Sequence, residues 1–184
     1  MRPAILAALL ILPLPAAADT ITDALTAAIA AYEAGDIPDA LGEVAYATQL
    51  LNALQAEGLT DFLPEPLAGW QREVSSAANA SLGFMGGGTA AEASYTGPGG
   101  RFTITLMADN PMVASMGAIL GNAALMGSMG QLERINRENF MNSDGELSGL
   151  IGGRILIQAN GSDTDAMIAH LEQMDFRALE DFGR

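Results

Sequence analysis

The chain has 184 residues, enough for one domain or one domain with an appendage. It is 49% apolar with a mean hydropathy of +0.24, which excludes a wholly disordered polypeptide. Its 22 acidic and 8 basic residues, with no lysine, give a net charge of −14 and no footprint for nucleic acid; the absence of cysteine removes disulfides, thiol nucleophiles and thiolate metal sites.

The first element is an export signal. Arg2 supplies a short positive region, Ala4–Leu12 an apolar run, and Pro13 and Pro15 a break. Ala16-Ala17-Ala18 then gives the small-x-small pattern of a cleavage site before Asp19. The run is short for a bilayer span. An exported chain of this size without cysteine fits a bacterial periplasm or exterior. Residues 1–18 are therefore read as signal peptide, and no transmembrane span is expected after cleavage.

Residues 19–57 read as a helical hairpin. Ile21, Leu25, Ala28 and Ile29, then Leu41, Val44, Ala45, Leu51 and Leu54, recur at helical spacing. Gly35-Asp36 makes the turn, and Pro38 suits the first turn of the second helix. The words Gly35-Asp36-Ile37-Pro38-Asp39-Ala40-Leu41, with Ala47 beyond, resemble a tetratricopeptide repeat over about residues 22–55. The aromatic that the family places early in its first helix has no counterpart, since Ala24 and Ala27 lie there. A single repeat cannot bury its own face. The resemblance implies a hairpin packed on the rest of the chain or on a partner, with a peptide-binding groove as one outcome.

Residues 58–69 read as a linker, made stiff by Pro64-Glu65-Pro66. Residues 70–184 read as an α+β domain. Trp70 is read first as an anchor in the core or between domains, and second as a ligand-stacking ring. Ala91, Ala93 and Tyr95 alternate with polar residues, as do Phe102, Ile104, Leu106 and Ala108 after a turn at Gly97–Gly100. Asp109-Asn110-Pro111 then starts a helix that is expected to run to about Gly130. Strands follow near 132–141, 146–151 and 154–160, with turns at Asp144-Gly145 and Gly152-Gly153. A last helix opens at Ser162–Asp165, and a short tail helix includes Phe176 to Phe182.

The expected fold is thus an N-terminal αα-hairpin followed by an antiparallel sheet of about five strands packed on two helices. The tryptophan ahead of the sheet, the hairpin at Gly97–Gly100 and the Gly153-Arg154 step into the last strand resemble the PsbP/Mog1-like fold over about 70–176. That resemblance implies a binding or assembly role in place of a catalytic site.

The segment between Asp109 and Glu133 is rich in methionine and carries no charge. It reads as a buried helix against the sheet. It also reads as a face for an apolar ligand or partner, built from Met112, Met116, Ile119, Leu120 and Met126 with Trp70. A further reading is Cu(I) held by the thioethers of Met112, Met116, Met126 and Met129. No other cofactor is indicated. Asn142–Glu146 has the look of a calcium-loop fragment but reads as a hairpin turn, and Gly83–Gly88 reads as an entry loop to a strand. His170, the one histidine, reads as solvated or as a satisfied core residue, and serine-nucleophile signatures are missing. The function expected is that of an exported, non-enzymatic accessory or binding protein that docks a partner protein or an apolar ligand. The alternatives are a periplasmic Cu(I)-handling protein and, last, a carboxylate-dependent hydrolase. The acidic balance implies that a charge-steered partner is basic.

Overall fold

The computed structural model describes residues 17–76 and 88–183, with side chains from Thr20 onward. The export signal therefore lies outside the described residues except for its last two alanines. The Gly83–Gly87 part of the glycine-rich loop lies outside them too. The architecture is mixed α+β, with six helices and a seven-stranded antiparallel sheet among the described residues. The chain divides into two units after Leu51.

The first unit holds α1 (Ala17–Glu33) and the start of α2 (Ile37–Thr60). Between them Gly35 takes φ +81°, and Asp36 N–H bonds to Ala31 O at 2.9 Å while Gly35 N–H bonds to Tyr32 O at 3.0 Å. This is the glycine-terminated closure of a helix, which satisfies carbonyls that the last turn leaves open. Asp36 then starts α2: its carboxylate accepts from Asp39 N–H at 3.2 Å. One aspartate thus ends one helix and caps the next.

The second unit holds the rest of α2 and the sheet. Its strands are β1 (Gln71–Ser75), β2 (Thr89–Gly97), β3 (Gly100–Ala108), β4 (Gln131–Ile135), β5 (Glu138–Ser143), β6 (Glu146–Ile151) and β7 (Ile155–Gly161). They lie in the order β1-β2-β3-β7-β6-β5-β4, so two meanders meet where β3 pairs with β7. Alternation sends Ala91, Ala93, Tyr95, Phe102, Ile104 and Ile157 to one face. There they pack on Leu59, Leu63 and the helices α5 (Thr164–Leu171) and α6 (Phe176–Glu180). The opposite face sends Ala90, Met107 and Leu156 against α3 (Pro111–Leu120) and α4 (Ala123–Met129).

The strand count exceeds the five expected, for two reasons. β1 has a single apolar residue, Val74, and no alternation; it forms by pairing with β2 from Gln71↔Thr96 to Ser75↔Glu92. The stretch read as one strand at 132–141 is two, because Asn136 (φ +48°) and Arg137 (φ +75°) turn the chain. Two consecutive residues in this conformation make the tight turn whose twist suits a hairpin.

The single helix expected to reach Gly130 is also corrected. It breaks after Leu120, and α3 and α4 meet at 89°. Asn122 takes extended backbone and accepts from Ala124 N–H (3.0 Å) and Leu125 N–H (3.3 Å), which caps a new helix. Among the described residues no single helix is long and apolar enough to cross a membrane.

α2 continues through Thr60, three residues beyond the expected end of the hairpin, and the following connector is strapped to the sheet. Arg72 Nη1 donates to Leu63 O (3.0 Å) and Pro64 O (3.2 Å), and Tyr95 Oη donates to Pro64 O (2.6 Å). Gln173 Nε2 donates to Glu65 O at 3.3 Å.

Candidate functional site

The first unit places its small and large apolar residues on different sides. Ala24, Ala28 and Ala31 of α1 and Ala40 and Ala47 of α2 are buried. Methyl side chains let helix backbones approach closely, so alanine serves where the two helices pack. The large side chains are left outside: Ile29, Tyr32 and Leu41 are 61%, 68% and 65% exposed, and Leu25, Ile37 and Val44 are exposed as well. These six, with Ala28 and Ala40 at the floor, line an open groove of about 560 Å³. Leu25, Ile29 and Tyr32 stand at i, i+4 and i+7 on α1, and Ile37, Leu41 and Val44 repeat that spacing on α2. Each row is a ridge along one helix face. The lining side chains are hydrocarbon apart from the Tyr32 hydroxyl. Leu25, Ile29, Leu41 and Val44 are part of the periodicity visible in the sequence. The sequence reading did not separate the alanine stripe, which packs, from the stripe of large residues beside it, which does not.

The methionine-rich segment is divided by the bend. Leu120 and Met126 are buried and Met116 is half-buried; they form a small core with Val113 and Leu156. Ile119 is half-buried, whereas Met112 and Met129 are exposed. Met112 and Met116 thus belong to α3, and Met126 and Met129 to α4, at 89° to each other. Among the described residues no three His, Asp or Glu side chains gather as a metal site. Trp70 lies apart from these methionines, packed on the larger core.

Trp70, Tyr95 and Phe102 surround His170, with ring centroids 5.3, 4.9 and 5.0 Å from the imidazole. The imidazole is fully buried. Its Nδ1 lies 2.7 Å from Ala166 O, and its Nε2 accepts from Leu67 N–H at 3.2 Å. Both nitrogens are satisfied when Nδ1 carries the proton, so this is a neutral core histidine. Burial pushes its pKa below the usual 6.5, against a smaller opposing pull from the Ala166 carbonyl. Burial likewise pushes the Tyr95 phenol well above its usual range.

Two clefts in the second unit carry charged side chains. In one, Arg154 joins Asp109 (Nε–Oδ1 2.9 Å) beside the start of α3 and donates from Nη2 to Phe182 O at 2.7 Å. In the other, Arg137, Glu138, Arg177 and Glu180 mix both signs of charge around α6. In comparisons with known proteins, no family model, no curated protein and no solved structure matches the chain.

Proposed function

We propose that the chain is an exported, non-enzymatic binding protein that docks a partner protein through the apolar groove of α1 and α2. The observation that carries this reading is the pair of exposed ridges, Leu25-Ile29-Tyr32 and Ile37-Leu41-Val44. A monomeric surface scatters its exposed apolar residues; a contiguous set marks an interaction site. Fully burying an exposed large aliphatic or aromatic side chain contributes roughly 1.5–3 kcal/mol; these six keep about half of their surface exposed, so each retains about half of that gain for a partner. The signal-like N-terminus supports export, and a periplasmic or external setting follows from it. The groove replaces the methionine-rich helix as the leading docking surface, because Leu120 and Met126 are spent on the protein's own core.

A photo-reactive amino acid placed at Leu41 in the native host tests the reading, with Asn160 on the sheet as control. Cross-linking from Leu41 to a discrete protein, absent from Asn160, is expected. Equal labelling at both positions, or none at Leu41, overturns it.

A further inference from the structure

We infer that the occupant of this groove is a cationic amphipathic helix of a partner protein. The inference rests on the docking reading above and adds the chemistry of the partner.

The shape comes first. Two ridges at i, i+4, i+7 spacing run for about two turns each, roughly 10 Å. A trough between such ridges accepts one row of side chains from a third helix. An extended strand would instead need open backbone groups to pair with, and helices keep theirs internal. The hydrocarbon lining lacks the few placed polar groups by which a small-molecule site fixes orientation.

Charge selects the partner. From Ala17 to Leu51 the charged residues are Asp19, Asp23, Glu33, Asp36, Asp39 and Glu43. There are six carboxylates and no basic side chain. A second copy of this chain would bring the same six carboxylates and be repelled. Anionic lipid is repelled for the same reason. A helix with lysine or arginine flanking an apolar stripe gains on both counts: its stripe fills the trough, and its cations are drawn by the net negative field of a segment with six carboxylates and no base.

Fluorescence anisotropy with the full chain tests this, using three labelled synthetic peptides of about 18 residues, long enough to form helix on contact. All carry the same leucine stripe. Their remaining positions are Lys/Arg, Gln/Ser, or Glu/Asp. The cationic peptide is expected to bind at least about tenfold tighter than the neutral one, with the gap closing as salt rises from about 0.05 to about 0.5 M. Ile29→Ser with Leu41→Ser should weaken binding at least about tenfold, with circular dichroism and melting unchanged. That variant keeps every carboxylate, so nonspecific attraction to an acidic protein would survive it. Glu33→Gln with Glu43→Gln should shrink the cationic advantage and slow association.

Equal binding of neutral and cationic peptides overturns the charge rule and leaves the docking reading standing. Failure of all three peptides, with cross-linking at Leu41 intact, overturns the helical occupant alone. Failure of both removes the docking reading as well. Binding to phosphatidylglycerol vesicles that Ile29→Ser with Leu41→Ser abolishes, without peptide binding, overturns the protein partner in favour of a membrane.

Discussion

The backbone N–H of Leu67 donates to Nε2 of His170 across 3.2 Å, so the one histidine in the chain holds the connector by its neutral form. Protonation turns that acceptor into a donor and places two N–H groups nose to nose. It also charges a ring enclosed by Trp70, Tyr95 and Phe102. Arg72, paired with Glu65 at 3.0 Å and bonded to connector carbonyls, is itself a cation and cannot offset that charge.

The pH dependence follows in sign. The folded pKa of His170 lies below its unfolded value near 6.5, so the unfolded chain takes up the proton first as pH falls. The stabilisation is complete above about pH 6.5 and is lost as pH drops from there toward the lower folded pKa. Urea denaturation from pH 7.5 to 5 checks this. His170→Gln should be less stable at pH 7.5 and show a shallower fall; parallel profiles would contradict the assignment.

Tyr95→Phe removes the hydroxyl that donates to Pro64 O at 2.6 Å. The carbonyl keeps a second donor, Arg72 Nη1 at 3.2 Å, so it is not left bare. The expected loss is about 1 kcal/mol, typical of one hydrogen bond. Because burial holds the phenol protonated, the wild-type ultraviolet spectrum should show Tyr95 ionising only upon alkaline unfolding.

The turn between β4 and β5 offers a stabilising change. Arg137 occupies φ +75°, which costs an L-residue about 1–2 kcal/mol, and glycine relieves this at an entropic cost of about 0.5–1 kcal/mol. Arg137→Gly should raise the denaturation midpoint slightly. Asn136→Gly should lower it, since Asn136 Nδ2 donates to Glu172 O (2.9 Å) and Met174 O (3.1 Å).

Phe140 and Gly149 face each other across β5 and β6. A Cβ at position 149 would stand 2.6 Å from the buried Phe140 ring. Gly149→Ala should cost about 1–3 kcal/mol, read as a fall in the denaturation midpoint, with Phe140→Leu partly rescuing it.

What the sequence made legible was structure with its own local cause. The β2–β3 alternation, the Asn110-Pro111 start of α3 and the Asp163 cap each act within a few residues, and the backbone follows them. β1 has no such cause: five mostly polar residues become a strand because β2 offers an edge. The Asn136-Arg137 turn escaped notice because arginine is an unusual occupant of positive φ, and Asn136 is fixed there by carbonyls 36 and 38 residues away. The bend at Asn122 is local, yet asparagine caps a helix only where the preceding one has already stopped. The groove was hidden by the same ambiguity. Leu25 and Ala28 carry equal weight in a 3.6-residue period, and only packing decides that alanine goes inside and leucine does not.

The open sheet also has ends. β1 and β4 stand last in the strand order, are five residues long, and each carries an adjacent Arg–Glu couple: Arg72-Glu73 and Glu133-Arg134. A foreign strand adding to either end would have to strip water from an exposed charge, Glu73 on β1 or Arg134 on β4, and gain few backbone bonds in return. Fibre growth by strand addition is therefore hindered at both margins of the sheet. The six large apolar side chains of the groove stand on helices, whose backbone groups are already paired, and so offer no edge for such growth.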